Sequence, residues 1–398
     1  MSRRGKRVKP GIALLGVIVF GGRALAEPDL YLNGSLSLGG ARDDNLFYTA
    51  ESRQSDVISR LTPELEAGSR SERLTLAGRW ALDAERFADH TELNTNRARE
   101  SASFDLHSRW SRPLTFSLHG DYLSTLTPGE LNLATGLSAG RRRARRVSGG
   151  PSLDWKLGPT TDGTLGYTLT KDDLVGGIPA QTRAAALGLE HRLSPRTTAT
   201  AGYNFNRYTF EGVAPVNVHT LTLGCEREIG PKSSITLRAG PRYSERRFDP
   251  EASLALQRGG KRIDSSLTLA RSQTTVIGEA GTFVTNSVLS ALSYKPRPSV
   301  RLSATPGAYW IKDTLGGPQT RVYVLGLEGS WRVSDWLSFV TTYRRNLQRG
   351  TLVATVPGTG DTVQEISRNT FFVGLLAGWK ETPRAPAAAA GGSEGGTP

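Results

Sequence analysis

Apolar and polar residues alternate one by one through short segments, and the segments recur along most of this 398-residue chain. In 74–82, Leu74, Leu76, Gly78, Trp80 and Leu82 share one parity, and Thr75, Ala77, Arg79 and Ala81 the other. In 102–110, Ala102, Phe104, Leu106 and Trp110 oppose Ser103, Asp105, His107 and Arg109. In 114–122, Leu114, Phe116, Leu118 and Tyr122 oppose Thr115, Ser117, His119 and Asp121. In 235–243, Ile235, Leu237, Ala239 and Tyr243 oppose Thr236, Arg238 and Arg242. Successive side chains of a strand point to opposite faces, so a period of two gives a strand with one apolar and one polar side.

The links between segments alternate in length. Tight ones occur at Ser111-Arg112-Pro113, Gly158-Pro159-Thr160, Ser194-Pro195-Arg196, Gly230-Pro231-Lys232 and Ser334-Asp335. Longer polar stretches lie mostly between them, at 42–56, 87–98, 125–142, 173–181 and 349–364. Segments of about ten residues joined by short turns on one side and long loops on the other are the pattern of a transmembrane antiparallel β-barrel. The segments number about eighteen, or sixteen without the pair at 251–272; both are even, as single-chain bacterial barrels require. A β-sandwich also alternates, but its inner faces are aliphatic and its strands fewer. Here Gly, Ala and aromatic residues stand on the apolar side, and charges occupy the middle of the polar side. The expected fold is therefore an all-β outer-membrane barrel over residues 27–380.

Both ends fall outside that barrel. Arg3, Arg4, Lys6, Arg7 and Lys9 precede the short apolar run Gly11–Gly22, and Ala24-Leu25-Ala26 follows. This pattern predicts a signal peptide over 1–26, cleaved after Ala26, and the run is too short to cross about 30 Å of hydrocarbon. It takes six basic residues and no acid from a formal net charge of +13, so the remaining chain is only mildly basic. That gives no argument for a nucleic-acid partner. The tail 381–398, rich in Ala, Gly and Pro, offers nothing to pack and is expected to be disordered. Cys225 is the only cysteine, which excludes an internal disulfide. It shares parity with Leu221 and Leu223, as an inert lipid-facing residue would. Trp110, Trp155, Trp310, Trp331, Trp336 and Trp379 stand near strand ends, where barrels carry aromatic girdles.

The opening strand and its loop read Leu38-Gly-Gly-Ala-Arg-Asp43-Asp44-Asn45-Leu46-Phe47. This resembles the opening of the β-barrel porin 2 family of exopolysaccharide-associated outer-membrane barrels. The stretch Ser265–Ser272, followed by Thr285–Tyr294, is similar to a late hairpin of those proteins. The resemblance implies an eighteen-stranded barrel in the outer membrane of a Gram-negative bacterium. It also implies a role in export of a secreted polysaccharide, with periplasmic export components as partners. The alternation by itself reaches the barrel but not the substrate. It leaves open a general or small-solute porin and, more distantly, a barrel hydrolase.

Candidate functional residues follow from parity. Glu64, Glu66, Arg79, Asp105, Arg109, Asp121, Asp154, Lys156, Glu190, Arg192, Glu226, Arg238, Arg242, Asp264, Glu328, Arg332 and Arg344 carry charge of both signs on polar faces. They are the expected lining of a water-filled bore, through which a sugar chain would exchange hydrogen bonds; paired across strands, they would also stabilise the wall. Arg141, Arg142, Arg143, Arg145 and Arg146 form a dense basic run where a long loop enters a strand. They are a candidate extracellular patch for an acidic polymer or for lipopolysaccharide phosphates, with plain solvation as the simpler reading. Asp43, Asp44 and Asn45 could bind a divalent cation, although a polar turn explains the same residues. His107 and His119 face the same way as Ser103 and Ser117, so a Ser–His pair is conceivable. No Gly-x-Ser-x-Gly, zinc spacing or phosphate loop accompanies it, and neither an enzyme nor a cofactor is expected.

Overall fold

The computed structural model describes residues 29–138, 140–314, 316, 319–350 and 364–380. The expected signal peptide, the tail and most of the link at 349–364 lie outside them. Eighteen strands follow one another: β1 (Asp29–Asp43), β2 (Asp56–Arg70), β3 (Leu74–Phe87), β4 (Thr95–Arg109), β5 (Leu114–Thr125), β6 (Ala144–Lys156), β7 (Thr161–Leu174), β8 (Ala180–Ser194) and β9 (Thr197–Phe210). Then come β10 (Val213–Gly230), β11 (Ser233–Ser244), β12 (Arg247–Arg258), β13 (Ile263–Thr274), β14 (Phe283–Arg297), β15 (Val300–Asp313), β16 (Thr320–Arg332), β17 (Leu337–Gly350) and β18 (Gln364–Lys380). Each pairs antiparallel with the next, and β18 pairs with β1, so the sheet closes without a free edge. The less regular pair at 251–272 is present as β12 and β13. Among the described residues no helix is long and apolar enough to cross a membrane.

Directly opposed residues share a face, so parity can be carried around the ring. On β1, Leu30, Leu32, Leu36 and Leu38 are exposed, whereas Ala41 and Asp43 of the other parity are buried. The exposed parity continues through Leu65, Leu187, Leu223, Leu237, Leu302 and Leu375. Cys225 lies on it as well, exposed beside Leu221 and Leu223. Such a continuous apolar outer surface far exceeds the patches that soluble proteins leave in water, and hydrocarbon is the solvent it suits. Trp110, Trp155, Trp331, Trp336 and Trp379 stand at the short-link rim, while Trp310 stands near the opposite one. Both described ends, at 29 and 380, are on the short-link rim.

Prolines shape the wall. Pro63, Pro151, Pro241, Pro250 and Pro306 lie within strands with outward parity. Proline has no N–H to give its neighbour. Accordingly the β2–β3 ladder skips from Leu61↔Ala84 to Glu64↔Ala81, and the β14–β15 ladder from Leu289↔Gly307 to Leu292↔Ala304. The β12–β13 ladder stops at Ala252↔Arg271, and the Arg271 Nε donates to the Pro250 carbonyl at 3.2 Å. Two links on the long-loop rim are as tight as those opposite, Glu211-Gly212 and Glu245-Arg246. Glu245 and Arg246 hold φ of 49° and 64°, a hairpin turn that usually takes Asn or Gly. Without either residue the turn carries no sequence mark.

The Asp43–Asn45 motif fastens the seam between first and last strands. Arg368 of β18 pairs with the Asp43 carboxylate, and its guanidinium lies 4.3 Å over the Tyr48 ring. Asp44 accepts from the Asn369 backbone N–H and side-chain amide, each at 2.6 Å. Asn45 donates to the carbonyls of Thr49 and Ser367. These carboxylates are committed to protein donors, and among the described residues no group of three or more His, Cys, Asp or Glu side chains is placed to hold a metal.

Candidate functional site: the bore and its loop cap

Every proposed lining residue has inward parity in the register. Glu64 faces Ser35 of β1 and Ala81 of β3, and Glu66 faces Arg79. Asp105 faces His119, Asp121 faces Ser148, and Asp154 faces Thr164. Lys156 opposes Asp162, which opposes Glu190; Arg192 and Glu226 oppose Thr198 from either side. Arg238 and Arg242 on β11, Asp264 on β13, Glu328 and Arg332 on β16 and Arg344 on β17 continue the circuit, and Arg109 closes β4 at the short-link rim. All remain accessible or half-buried except Arg242, which is 1% exposed. Some are paired along the wall. Arg79 meets Glu64 at 2.7 Å, Lys295 meets Asp264 at 3.2 Å, and His119 sits between Asp105 and Asp121. His107 Nδ1 lies 2.9 Å from Ser117 Oγ, but the neighbouring acids are engaged with His119 rather than with His107.

Toward the long-loop rim the inward face changes character. Ile58, Phe87, Ala144, Leu174, Phe210, Val218, Phe283, Ile311 and Val322 are all inward and buried. What covers them is loop. Residues 126–138 leave β5, make a 3-10 turn at Pro128–Leu131 and reach across the bore. Gln348 of β17 receives the Ser138 N–H at 2.5 Å and returns its own amide to the Ser138 carbonyl at 2.9 Å. Asn346 donates to the Gly136 carbonyl, and the Tyr309 hydroxyl of β15 to the Leu133 carbonyl. β17 stands six strands from β5 around the closed ring and β15 eight, so this loop bridges to the facing wall at β15. Eighteen strands about 4.8 Å apart and tilted about 40° enclose a ring roughly 35 Å across. Residues 275–282 join from another side: the Ile277 N–H donates to Asn132 Oδ1, and Gly278 bridges to Ile178. Leu137 and Val276 of these loops pack with Phe283, Tyr309, Ile311 and Val322 of the wall into one apolar cluster.

The arginine run does not form one surface. Arg141 is nearly buried, pairs with Glu85 at 2.8 Å and lies over the Phe87 ring. Arg146 turns inward to Asp172 and to the Leu131 carbonyl. Arg143 reaches Ser124, and Arg145 has outward parity opposite Asp173. The expected patch is thus split, because the run crosses into β6 and alternation sends its members to opposite faces. Arg142 lies near Glu279, whose carboxyl burial pushes up, an effect that the arginine partly offsets. Around the cap, Arg60 also pairs with Glu85, and Arg99 with Glu130 of the 3-10 turn. The capping residues Asn132, Ser138, Tyr309, Asn346 and Gln348 have no motif in sequence; their partners are up to 210 positions away.

Asp56 anchors the adjoining loop. Its carboxylate accepts the N–H groups of Val57, Ala88, Asp89 and His90 and lies 2.8 Å from His90 Nδ1. Burial pushes its pKa up, but the bonds led by His90 outweigh burial and hold it at about 2, against an ordinary 3.8. A folded pKa below the unfolded one stabilises fully above the ordinary value, and the contribution fades as pH falls toward about 2. Amide exchange of Asp89 and His90, corrected for intrinsic rates, should therefore be protected at pH 6 and lose protection near pH 2. Asp56→Asn should show the acid behaviour at neutral pH; full protection in that variant would refute the anchor.

A closed antiparallel ladder, a lipid-suited outer belt and a polar inner face define a membrane-spanning β-barrel. No protein-family model and no curated protein matches the chain. Among solved structures, OpdO of Pseudomonas aeruginosa aligns with 90% of this chain and 99% of its own at 11% identity and TM-score 0.49. OccAB4 of Acinetobacter baumannii aligns with 88% and 98% at 11% identity and TM-score 0.48. A mutant of the ferric enterobactin receptor PfeA of P. aeruginosa aligns with 87% and 80% at 10% identity and TM-score 0.46. At those TM-scores the barrel assignment stands on the closed ladder itself.

Proposed function

We propose that this chain is a passive outer-membrane channel for small hydrophilic solutes, with the long-loop rim outside the cell and the short-turn rim in the periplasm. The supporting observation is the loop cap: residues 126–138 reach across the bore and are fastened to β17 by Gln348 and Asn346 and to the facing strand β15 by Tyr309. A bore lined with mixed charge and narrowed at its outer mouth suits solutes smaller than its waist. The position of both described ends on the short-turn rim agrees with delivery from the periplasm after cleavage at Ala26.

Passage of a secreted polysaccharide is the other role raised by the sequence resemblance. Its carrying motif, Asp43–Asn45, is engaged in closing the barrel, so the residues behind the resemblance have a structural role that needs no polymer.

Reconstitution in planar bilayers tests the channel. The refolded chain should give discrete conductance steps, and liposomes containing it should admit small sugars faster than oligosaccharides. A folded, inserted barrel that neither conducts nor admits small sugars would overturn this reading. Loss of surface polysaccharide on gene deletion, together with equal admission of long and short glycans, would favour the export role.

A further inference from the structure

On the outer wall, near the long-loop rim, two arginines face each other directly. Arg183 of β8 and Arg207 of β9 are cross-strand partners, both exposed and of outward parity. Directly opposed residues on one face have Cβ atoms about 5 Å apart, and like charges so placed destabilise a sheet. Lys171 of β7 adds a third cation on the diagonal, because its partner Gln181 is two residues from Arg183 on the same face. The outward carboxylate nearby, Asp173, opposes Arg145 on the other side. Beneath the three cations, at the next outward positions but one, lie Leu187, Tyr203 and Tyr167, all exposed. Charge therefore sits immediately above the apolar belt, where lipid headgroups meet acyl chains.

Guanidinium forks match phosphate oxygens in pairs, and a bridging anion turns the Arg183–Arg207 repulsion into attraction. We propose that Arg183, Arg207 and Lys171 bind the phosphate of a glycolipid in the outer leaflet, its acyl chains lying along the belt below. The site rests on the proposed channel orientation, which puts the long-loop rim outside the cell.

The test uses the refolded full chain in micelles, titrated with bisphosphorylated lipid A and with chemically dephosphorylated lipid A. The unmodified chain should prefer the phosphorylated form. Arg183→Gln with Arg207→Gln should lower affinity for it by about tenfold or more and leave the dephosphorylated form unaffected. Without lipid the double variant should unfold at a higher temperature than the unmodified chain, since a repulsive pair is gone. With phosphorylated lipid A the order should reverse. Each single variant should move in the same directions by less, which keeps the test open if the double variant folds poorly. Equal affinity of the unmodified chain for both lipids, or no reversal, would overturn the site. Conductance of the unmodified chain separates the outcomes: steps without lipid preference refute this site alone, and absence of steps refutes the channel.

Discussion

Deleting residues 128–138 should raise single-channel conductance several-fold and admit oligosaccharides that the intact chain excludes. Conductance follows the narrowest cross-section of the water column, and these residues span the ring of the bore. The strands below them need no support from the loop, because each is paired on both sides in a closed ladder. The deletion uncovers Phe283, Ile311 and Val322, which pack under Leu137. Exposing one such side chain costs about 1.5–3 kcal/mol. The barrel should survive that loss, which a heat-modifiability gel of the deletion variant would show. Gln348→Ala is the milder form. It strands the Ser138 N–H and carbonyl, a cost of about 1–3 kcal/mol for each buried group, so the loop should leave the wall part of the time. Its conductance should flicker between the intact level and a larger one. Unchanged conductance in a folded deletion variant would mean that the cap does not set the waist.

Arg368→Ala should strongly destabilise the folded barrel. Arg368 and Asp43 are 12% and 1% exposed and pair across the seam where the last strand meets the first. Removing one partner of a buried pair leaves the other charge uncompensated, at about 3–5 kcal/mol. The urea midpoint of the refolded barrel should fall accordingly. Adding Asp43→Asn to Arg368→Ala should restore part of the loss, because the stranded carboxylate is then gone. A double variant no better than the single one would show that packing over Tyr48, rather than the ion pair, holds the seam.

Strand existence and side-chain direction were legible in the residues because they are local. Leu74 to Leu82 alternate whatever the rest of the chain does, and the pleat converts that parity into outside and inside. The same locality reaches Glu64, Arg79 and Arg344, whose inward parity needs only their immediate neighbours. The arginine run shows where it stops. Arg141 to Arg146 is continuous as text, but its first members belong to a loop and its last to β6. Only the fold says which turn to Glu85 and Asp172 and which to the outer wall. The Asp43–Asn45 motif reads equally well as a turn, a cation site or a family signature until β18 arrives beside it.

The alternation by itself determined an even-numbered barrel with a greasy outside and a charged inside, because a two-residue period fixes the face of each side chain before any long-range contact forms. Tertiary structure alone decided how the ring is sealed and how its outer mouth is narrowed. Gln348 finds Ser138, Asn132 finds Ile277 and Arg368 finds Asp43 only after closure brings distant segments together, and no local pattern encodes a hydrogen bond between groups up to 325 residues apart.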